Sequence, residues 1–542
     1  MKNIIFFLLT FSVFFTGCKL KESKQQEPKL IVGIVIDQMR YDYLTRFSDR
    51  YSENGFKRLL KNGFSIENAY YNLIPTYTAV GHASIYTGTT PDNHGIISNN
   101  WYDKFLKKTI YCVDDDIYRT VGNNSDAGKK SPSRMYTTTV TDQLHLAQNM
   151  NGKTIGIAIK DRSAILPAGH TANAAYWFHG KQKGQWISSN FYMENLPNWV
   201  TDFNNSDNAN NYLKTPWNTL YDINTYTNSI IDNNLFEGKF KGETATSFPH
   251  DIPNLKVTNG NFDILKGIPA GNSFTADFAK AAILGENLGK SEFTDFLAVS
   301  FSSTDYIGHQ FGPASKEIED TYLRLDKDIA DLLSFLDKQI GRNKYTVFLT
   351  ADHGAVNVPR YLTDQKIPSG YFDGDACGSI LNAYFKNTYE VEKIVENYYN
   401  AQLQLDENTI KEYGLNADFV KEKVIQIIKG FAGVQDVLVI KDLKKGTSSA
   451  MEEKAINGYY YSRSGDYFII LKPGWIHDQK KGTTHGSGYS YDTHVPLIFM
   501  GTGITHGSSN QMVNIRDIAP TISTLINISF PNGTTGNPLR FE

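Results

Sequence analysis

Five runs of strand length, built almost wholly from aliphatic and aromatic residues, recur along this chain and leave few folds open to it. They are Leu30–Ile36, Thr154–Ile159, Phe296–Phe301, Tyr345–Thr350 and Val495–Met500. None alternates polar with apolar positions, so each reads as a strand covered on both faces, as in a parallel sheet. Between them lie amphipathic helical patterns. The clearest spans residues 315–338, where Ile318, Tyr322, Leu325, Ile329, Leu332 and Leu336 recur every three or four positions. Ser315 is placed to cap its start, and Gly341 lies just past its end. Buried strands alternating with such helices predict an α/β sandwich around a mostly parallel central sheet.

Two long segments break the rhythm. Residues from about 180 to 270 are rich in Asn, Thr, Tyr and Trp with little regular period, as expected of an inserted cap. Residues from about 363 to 480 predict a mixed α+β insertion, with helices over Tyr389–Ala401 and Ala417–Lys429 and strands over Val437–Ile440 and Tyr467–Leu471. Residues 30–542 are then expected to form one domain carrying both insertions.

The start of the chain speaks to its destination. Met1-Lys2-Asn3 precedes an almost unbroken apolar run, Ile4–Phe15, long enough for a signal peptide and short for a membrane span. It ends in Phe15-Thr16-Gly17-Cys18, which resembles a lipoprotein signal with Cys18 as the lipidated residue. Residues 1–18 are thus expected to be a leader and polar residues 19–29 a flexible tether. The expectation is an exported protein, periplasmic or an outer-membrane lipoprotein, touching membrane only through that anchor. Lys and Arg number 54 against 57 Asp and Glu, which gives no basic field for nucleic acid. Three cysteines in 542 residues exclude a disulfide scaffold. Whether Cys112 and Cys377 pair is open at this stage.

In sheets of this kind ligands gather at the carboxyl ends of the strands. Asp37 follows the first run, Asp305 and His309 follow Phe301, and Asp352-His353 follows the run ending at Thr350; His485 adds a third imidazole. Any one of these is unremarkable as a cap or turn residue. Asp305 and His309 are spaced to share one helical face, and together the set offers the oxygen and nitrogen donors that zinc takes. The stretch Ile74–His82 ends a loop and opens a helix, where an anion is favoured. Thr76 and Thr78 compete there for the role of nucleophile, and an Asn side chain in Ser98-Asn99-Asn100 offers an amide to a phosphoryl oxygen. Lys160 and Arg162, one residue apart at a strand end, can point the same way.

Seven stretches carry a resemblance across the chain: IVIDQMRYDYL, PTYTAVGHASIYTG, HGIISNNWYD, IKDRSAILPAGH, SSTDYIGHQFGP, TADHGA and KGTTHGSGYSYDTHVPLIFMG. In this order they resemble the alkaline phosphatase superfamily, and within it the phosphate-irrepressible (PafA-like) alkaline phosphatases. The resemblance implies an alkaline-phosphatase-like α/β/α sandwich and two Zn2+ per chain. It implies Thr78 as nucleophile through a phosphothreonine intermediate, with Asn99, Lys160 and Arg162 on the phosphoryl oxygens. Asp37, Asp352 and His353 would hold the metal that activates Thr78; Asp305, His309 and His485 would hold the one facing the leaving group. The expected substrates are a broad range of small phosphate monoesters. A cationic pair favours their dianionic phosphoryl group, and the related nucleotide pyrophosphatases and phosphodiesterases, the alternative reading, lack it. Thr78 stands where a sulfatase would need Cys or Ser.

Other features read as structural. Gly152-Lys153-Thr154 has the ending of a phosphate loop, but Ala147 occupies the position of its first Gly. His82 and His94 are expected to pack or hydrogen-bond near the nucleophile. His494 is open between packing and support of the metal ligands.

Overall fold

In the computed structural model, which describes residues 27–443, 449–477 and 481–542, the run Leu30–Ile36 is strand β1, buried along its whole length. The leader with Cys18 and most of 19–29 lie outside the described residues. Nine strands join β1: β2 Phe64–Tyr70, β3 Thr120–Val121, β4 Thr154–Ala158, β5 Ala174–His179, β6 Gln185–Ser189, β7 Asp295–Phe301, β8 Tyr345–Thr350, β9 Leu497–Gly501 and β10 Gly507–Asn514. They form a ten-stranded sheet in the order β10-β2-β9-β8-β1-β7-β4-β5-β6-β3. The middle of it, β8-β1-β7-β4-β5, is parallel throughout, as unbroken aliphatic runs require when helices cover both faces.

Two expectations about the sheet need correction. The run at Val495–Met500 is strand β9, and it lies antiparallel to β8, with Leu497 opposite Thr350. The chain enters it from the loop at the carboxyl end of β8, so it must run backwards; burial alone does not carry direction. Residues 185–189, inside the segment expected to be a cap, are β6, antiparallel to β5. Trp186 holds them there, stacked on Phe274 and Phe278 with ring centroids 5.3 and 4.2 Å apart.

The helices that matter for the site are α1 Thr78–Thr87, α2 Asp161–Ala168, α3 Ala270–Gly285, α4 Ser303–Phe311 and α5 Lys316–Gln339. In α5 the apolar stripe is buried as its spacing predicts, and Ser315 Oγ accepts the Ile318 N–H at 3.2 Å as the cap. Strands 395–399, 402–405, 467–471 and 434–438 build a separate four-stranded sheet. Its own core includes Leu381, Phe385, Leu403, Val424 and Ile428. The helix expected over Tyr389–Ala401 is absent: a helix over Gly374–Tyr389 ends there and Val395–Tyr399 is a strand. Cross-strand pairing with Gln402–Leu405 overrides the helical spacing, and the β-branched and aromatic content of the segment suits it. Cys112 and Cys377 are both buried, free thiols.

Candidate active site

Because β4, β7, β1 and β8 are neighbours in register, with Ala158 beside Ser300, Ile36 beside Phe301 and Val35 beside Thr350, their carboxyl ends deliver Lys160, Asp305, Asp37 and Asp352 side by side. His309 comes one helical turn after Asp305, and its Nε2 lies 3.1 Å from Asp305 Oδ1. His485 reaches the same oxygen at 3.7 Å. His353 Nε2 lies 3.5 Å from Asp37 Oδ1 and 3.6 Å from Asp352 Oδ2. Among the described residues, two groups gather ligand atoms within 4.8 Å: Asp305, His309 and His485, and Asp37, Asp305 and His353. Asp305 therefore borders both.

The imidazoles are oriented alike. Nδ1 of His309, His353 and His485 donates to the carbonyls of Thr483, Gly354 and Thr76 at 2.8, 2.9 and 2.6 Å. A carbonyl can only accept, so each neutral ring keeps its proton on Nδ1 and offers Nε2 as a lone pair. Asp37 Oδ1 and His353 Nε2 are buried without a hydrogen-bond partner. Buried orphans of this kind, in Asp/His surroundings, fit zinc-type ions.

The charges confirm how tightly the site is packed. Burial pushes Asp37 well above the usual carboxylate range, and Asp305 and Asp352 add to it. Burial would raise Asp305 too, but His309, Lys160 and His485 together hold it well below that range. Lys160 lies 2.7 Å from Asp37 Oδ2 and 2.5 Å from Asp305 Oδ2; those two carboxylates overcome its desolvation and keep it charged.

Thr78 is the first residue of α1, and Tyr77, not Thr78, holds the cap position. No side chain of Tyr77 serves the helix end; Asn99 Oδ1 does, accepting the Ala79 N–H at 2.9 Å, which leaves the amide nitrogen of Asn99 to donate. Lys160 Nζ lies 3.5 Å from Thr78 Oγ1. Thr76 donates its hydroxyl to Ser487 O at 3.1 Å, a structural task that separates it from Thr78. Arg162 Nη1 donates to Tyr111 Oη at 3.0 Å, and its Nε is buried with no partner.

Sequence reasoning passed over several supporting groups. Gln38 donates its amide to Asp305 Oδ1 at 2.7 Å and its backbone N–H to Asp352 Oδ1 at 3.1 Å. Its place directly after Asp37 was the available signal. Asp492 Oδ2 accepts from Gly486 N, Ser487 N and Ser487 Oγ at 3.1, 2.8 and 2.6 Å, fixing the loop of His485. Tyr111 also hydrogen-bonds Asp161. His82, expected to hydrogen-bond, bridges Thr78 O at 2.9 Å and Asp352 Oδ2 at 3.3 Å. His94 bonds Ser84 Oγ and the Ile96 N–H. His494 donates to Glu67 O and stacks between Tyr41 and Tyr70, a packing role.

The family model described as type I phosphodiesterase / nucleotide pyrophosphatase matches residues 31–496. Alkaline phosphatase PafA of Elizabethkingia meningoseptica is 43% identical over 96% of this chain and 95% of its own. Its wild-type crystal structure superposes with a TM-score of 0.91, covering 95% of this chain and 98% of that one. The chain belongs to the PafA group of alkaline phosphatases. Alkaline phosphatase PhoV of Synechococcus elongatus is 47% identical over 94% of this chain and 92% of its own. A Myroides odoratus protein called calcium-transporting ATPase is 48% identical over 97% of both chains. A PafA variant with a threonine, an asparagine, a lysine and an arginine substituted has also been solved, again at a TM-score of 0.91. Within the PafA group, this chain keeps a buried Thr78 and a buried Lys160 beside the Asp/His cluster.

Proposed function

We propose that this alkaline phosphatase hydrolyses a broad range of small phosphate monoesters at a two-zinc site, with Thr78 as nucleophile. The observation that carries the reading is the ammonium of Lys160, 3.5 Å from the Thr78 hydroxyl and in ion-pair contact with Asp37 and Asp305. Asp37, Asp352 and His353 would hold one metal ion and Asp305, His309 and His485 the other. When bound, such ions lower the pKa of a coordinated hydroxyl and neutralise charge on apical oxygens. Thr78 Oγ forms a bond to phosphorus as the bond to the leaving alcohol breaks, and water then releases the phosphothreonine in the reverse sense. Lys160, Arg162 and the amide of Asn99 bind the equatorial oxygens, where positioning and electrostatics supply most of the rate. The substituted residue types in the PafA variant, in chain order, are those of Thr78, Asn99, Lys160 and Arg162, which supports the assignment. Release of the terminal phosphate of a nucleotide is chemistry of the same kind, and accommodates the name of the Myroides relative.

The competing reading, a phosphodiesterase or nucleotide pyrophosphatase, draws on the family description. The deciding experiment measures kcat/KM for a monoester and a matched diester on zinc-loaded enzyme and after chelation. Strong monoester preference lost on chelation is expected; a diester preference would move the enzyme to the competing class. Export with lipidation at Cys18 completes the proposal, and unchanged membrane partition of Cys18→Ala would remove that part.

A further inference from the structure

Two side chains of the α+β insertion grip the loop of Asn99, one at each end. Arg463 Nη1 donates to the carbonyl of Gly95, where the loop begins. Asn400 Nδ2 donates to the carbonyl of Asn100 at 2.6 Å, where it passes into the strand Asn100–Asp103. Asn99 lies between the two, its Oδ1 on the Ala79 N–H of α1 at 2.9 Å and its carbonyl accepting the Cys112 N–H at 2.9 Å. The insertion holds neighbouring parts of the site as well. From its helix Ala450–Asn457, Lys454 O accepts the Ile74 N–H at 3.1 Å, and Asn457 Nδ2 donates to Asn72 O at 2.7 Å, on the approach to Thr78. Lys454 Nζ donates to Gly488 O at 2.6 Å, in the loop of His485.

Arg463 is 8% exposed, and its charge is met by dipoles and rings. Nη1 also donates to Arg134 O at 2.8 Å, and Cζ lies 4.3, 4.7 and 5.5 Å from the ring centroids of Tyr136, Trp101 and Tyr460. Burying a guanidinium is costly; carbonyls and ring faces offset that cost only where they converge. Trp101 follows Asn100 directly, and the Tyr136 N–H donates to His94 O at 3.0 Å, so the convergence is built on the Asn99 loop itself. The approach is close: a Cβ at Gly95, whose φ is +77°, would lie 2.9 Å from Arg463 Nη1 and 2.7 Å from Tyr136 Cδ2. The turn presenting Arg463 is fixed by its own bonds, with the N–H groups of Arg463 and Ser464 on Tyr460 O at 3.0 and 2.9 Å. Asn400 sits in the turn between the strands Val395–Tyr399 and Gln402–Leu405, at φ +54°, a conformation Asn tolerates better than most residues.

We propose that Arg463 and Asn400 are positioning residues for Asn99, so that the insertion sets the reach of the Asn99 amide to the phosphoryl group. The proposal rests on the reading of Asn99 as a ligand of a phosphoryl oxygen. With Gly95 O and Asn100 O both held, the loop keeps the Asn99 oxygen on α1, and the amide nitrogen stays in register with Thr78 on the same helix. Release of either end lets the loop drift. A donor displaced by about 1 Å loses up to roughly 10²-fold in rate without any change at the metal ligands.

The test measures kcat/KM for a phosphate monoester, together with zinc content, on the full-length, zinc-loaded enzyme. Arg463→Ala, Asn400→Gly and Asn99→Ala are made singly, and each of the first two is combined with Asn99→Ala. Gly is chosen at 400 because it accepts the positive φ and removes only the amide; this variant carries the comparison if Arg463→Ala fails to fold. Expected are losses of about 10²-fold for Asn99→Ala, about 10–100-fold for Arg463→Ala and about 5–10-fold for Asn400→Gly, all with unchanged zinc. In the Asn99→Ala background each of the other two changes should cost less than about 2-fold, because the group they position is gone. Losses that multiply in full in that background, or that excess zinc restores, would overturn the positioning role and leave the reading of Asn99 intact. Near-normal kcat/KM in Asn99→Ala would remove that reading, and the proposal with it.

Discussion

The ammonium of Lys160 stands 3.5 Å from the hydroxyl of Thr78, although the two residues come from different halves of the α/β layer: one at the end of a central strand, the other at the start of a helix. Lys160 is 4% exposed and Thr78 1%. Buried there, the ammonium pairs with Asp37 and Asp305, and in the proposed reaction it would meet the phosphoryl group during transfer. Metal ions held by Asp37 and by Asp305 would supply the counter-charge Lys160 gives these carboxylates here, freeing it for a phosphoryl oxygen.

Replacing Lys160 and Arg162 by Ala should therefore lower kcat/KM for a monoester by roughly 10²–10³-fold and for a matched diester by about 10-fold or less. Equal losses on the two substrates would remove the cationic pair from substrate discrimination.

Thr78→Ala should cut turnover by about 10⁴-fold or more while zinc content is unchanged, and Thr78→Ser should retain a large share of it. The check is single-turnover kinetics with metal analysis; near-normal rates in the Ala variant would return the role of nucleophile to another group.

At Gly81 an added Cβ would lie 2.3 Å from the carbonyl oxygen of Asp352. Gly81→Ala must push α1 away from the end of β8, carrying Thr78 with it. Expected are a loss of about 1–3 kcal/mol in stability and a larger fall in kcat than in zinc content, read by thermal unfolding and metal analysis. A variant of unaltered Tm and kcat would show that the helix can shift without consequence.

Asp492 touches no ligand atom of the metal cluster but holds the backbone of Gly486 and Ser487. Its substitution by Ala should weaken zinc binding by about 10–100-fold, measured by competition with a chelator, with kcat recovered at high zinc. Unchanged zinc affinity would confine Asp492 to a folding role.

Much of the site was legible one residue at a time. Asp37, Asp305, His309, Asp352 and His353 follow aliphatic runs whose burial is certain from composition, and parallel neighbours necessarily bring such ends together. His485 follows no strand of the central sheet; motif resemblance, not periodicity, pointed to it. Gln38 and Asp492 were hidden because amides and carboxylates beside a ligand are common and only contact distinguishes them. The helix expected over 389–401 failed for a related reason: a three-to-four spacing of apolar residues also arises in a short strand, and pairing with Gln402–Leu405 is invisible in a local window.

What the amino-acid sequence determined on its own was local: which runs must be buried, where α5 starts at Ser315, which side chains could carry metal or phosphate chemistry. Hydrophobicity, capping and donor type are properties of a residue and its near neighbours, so they can be read in order along the chain. The tertiary structure alone decided that β9 runs backwards, that Thr76 is committed to Ser487 while Thr78 faces Lys160, and that Asn99 caps the helix of Thr78. Each of those is a contact between residues far apart in sequence, selected by the packing of the whole core rather than by any local preference.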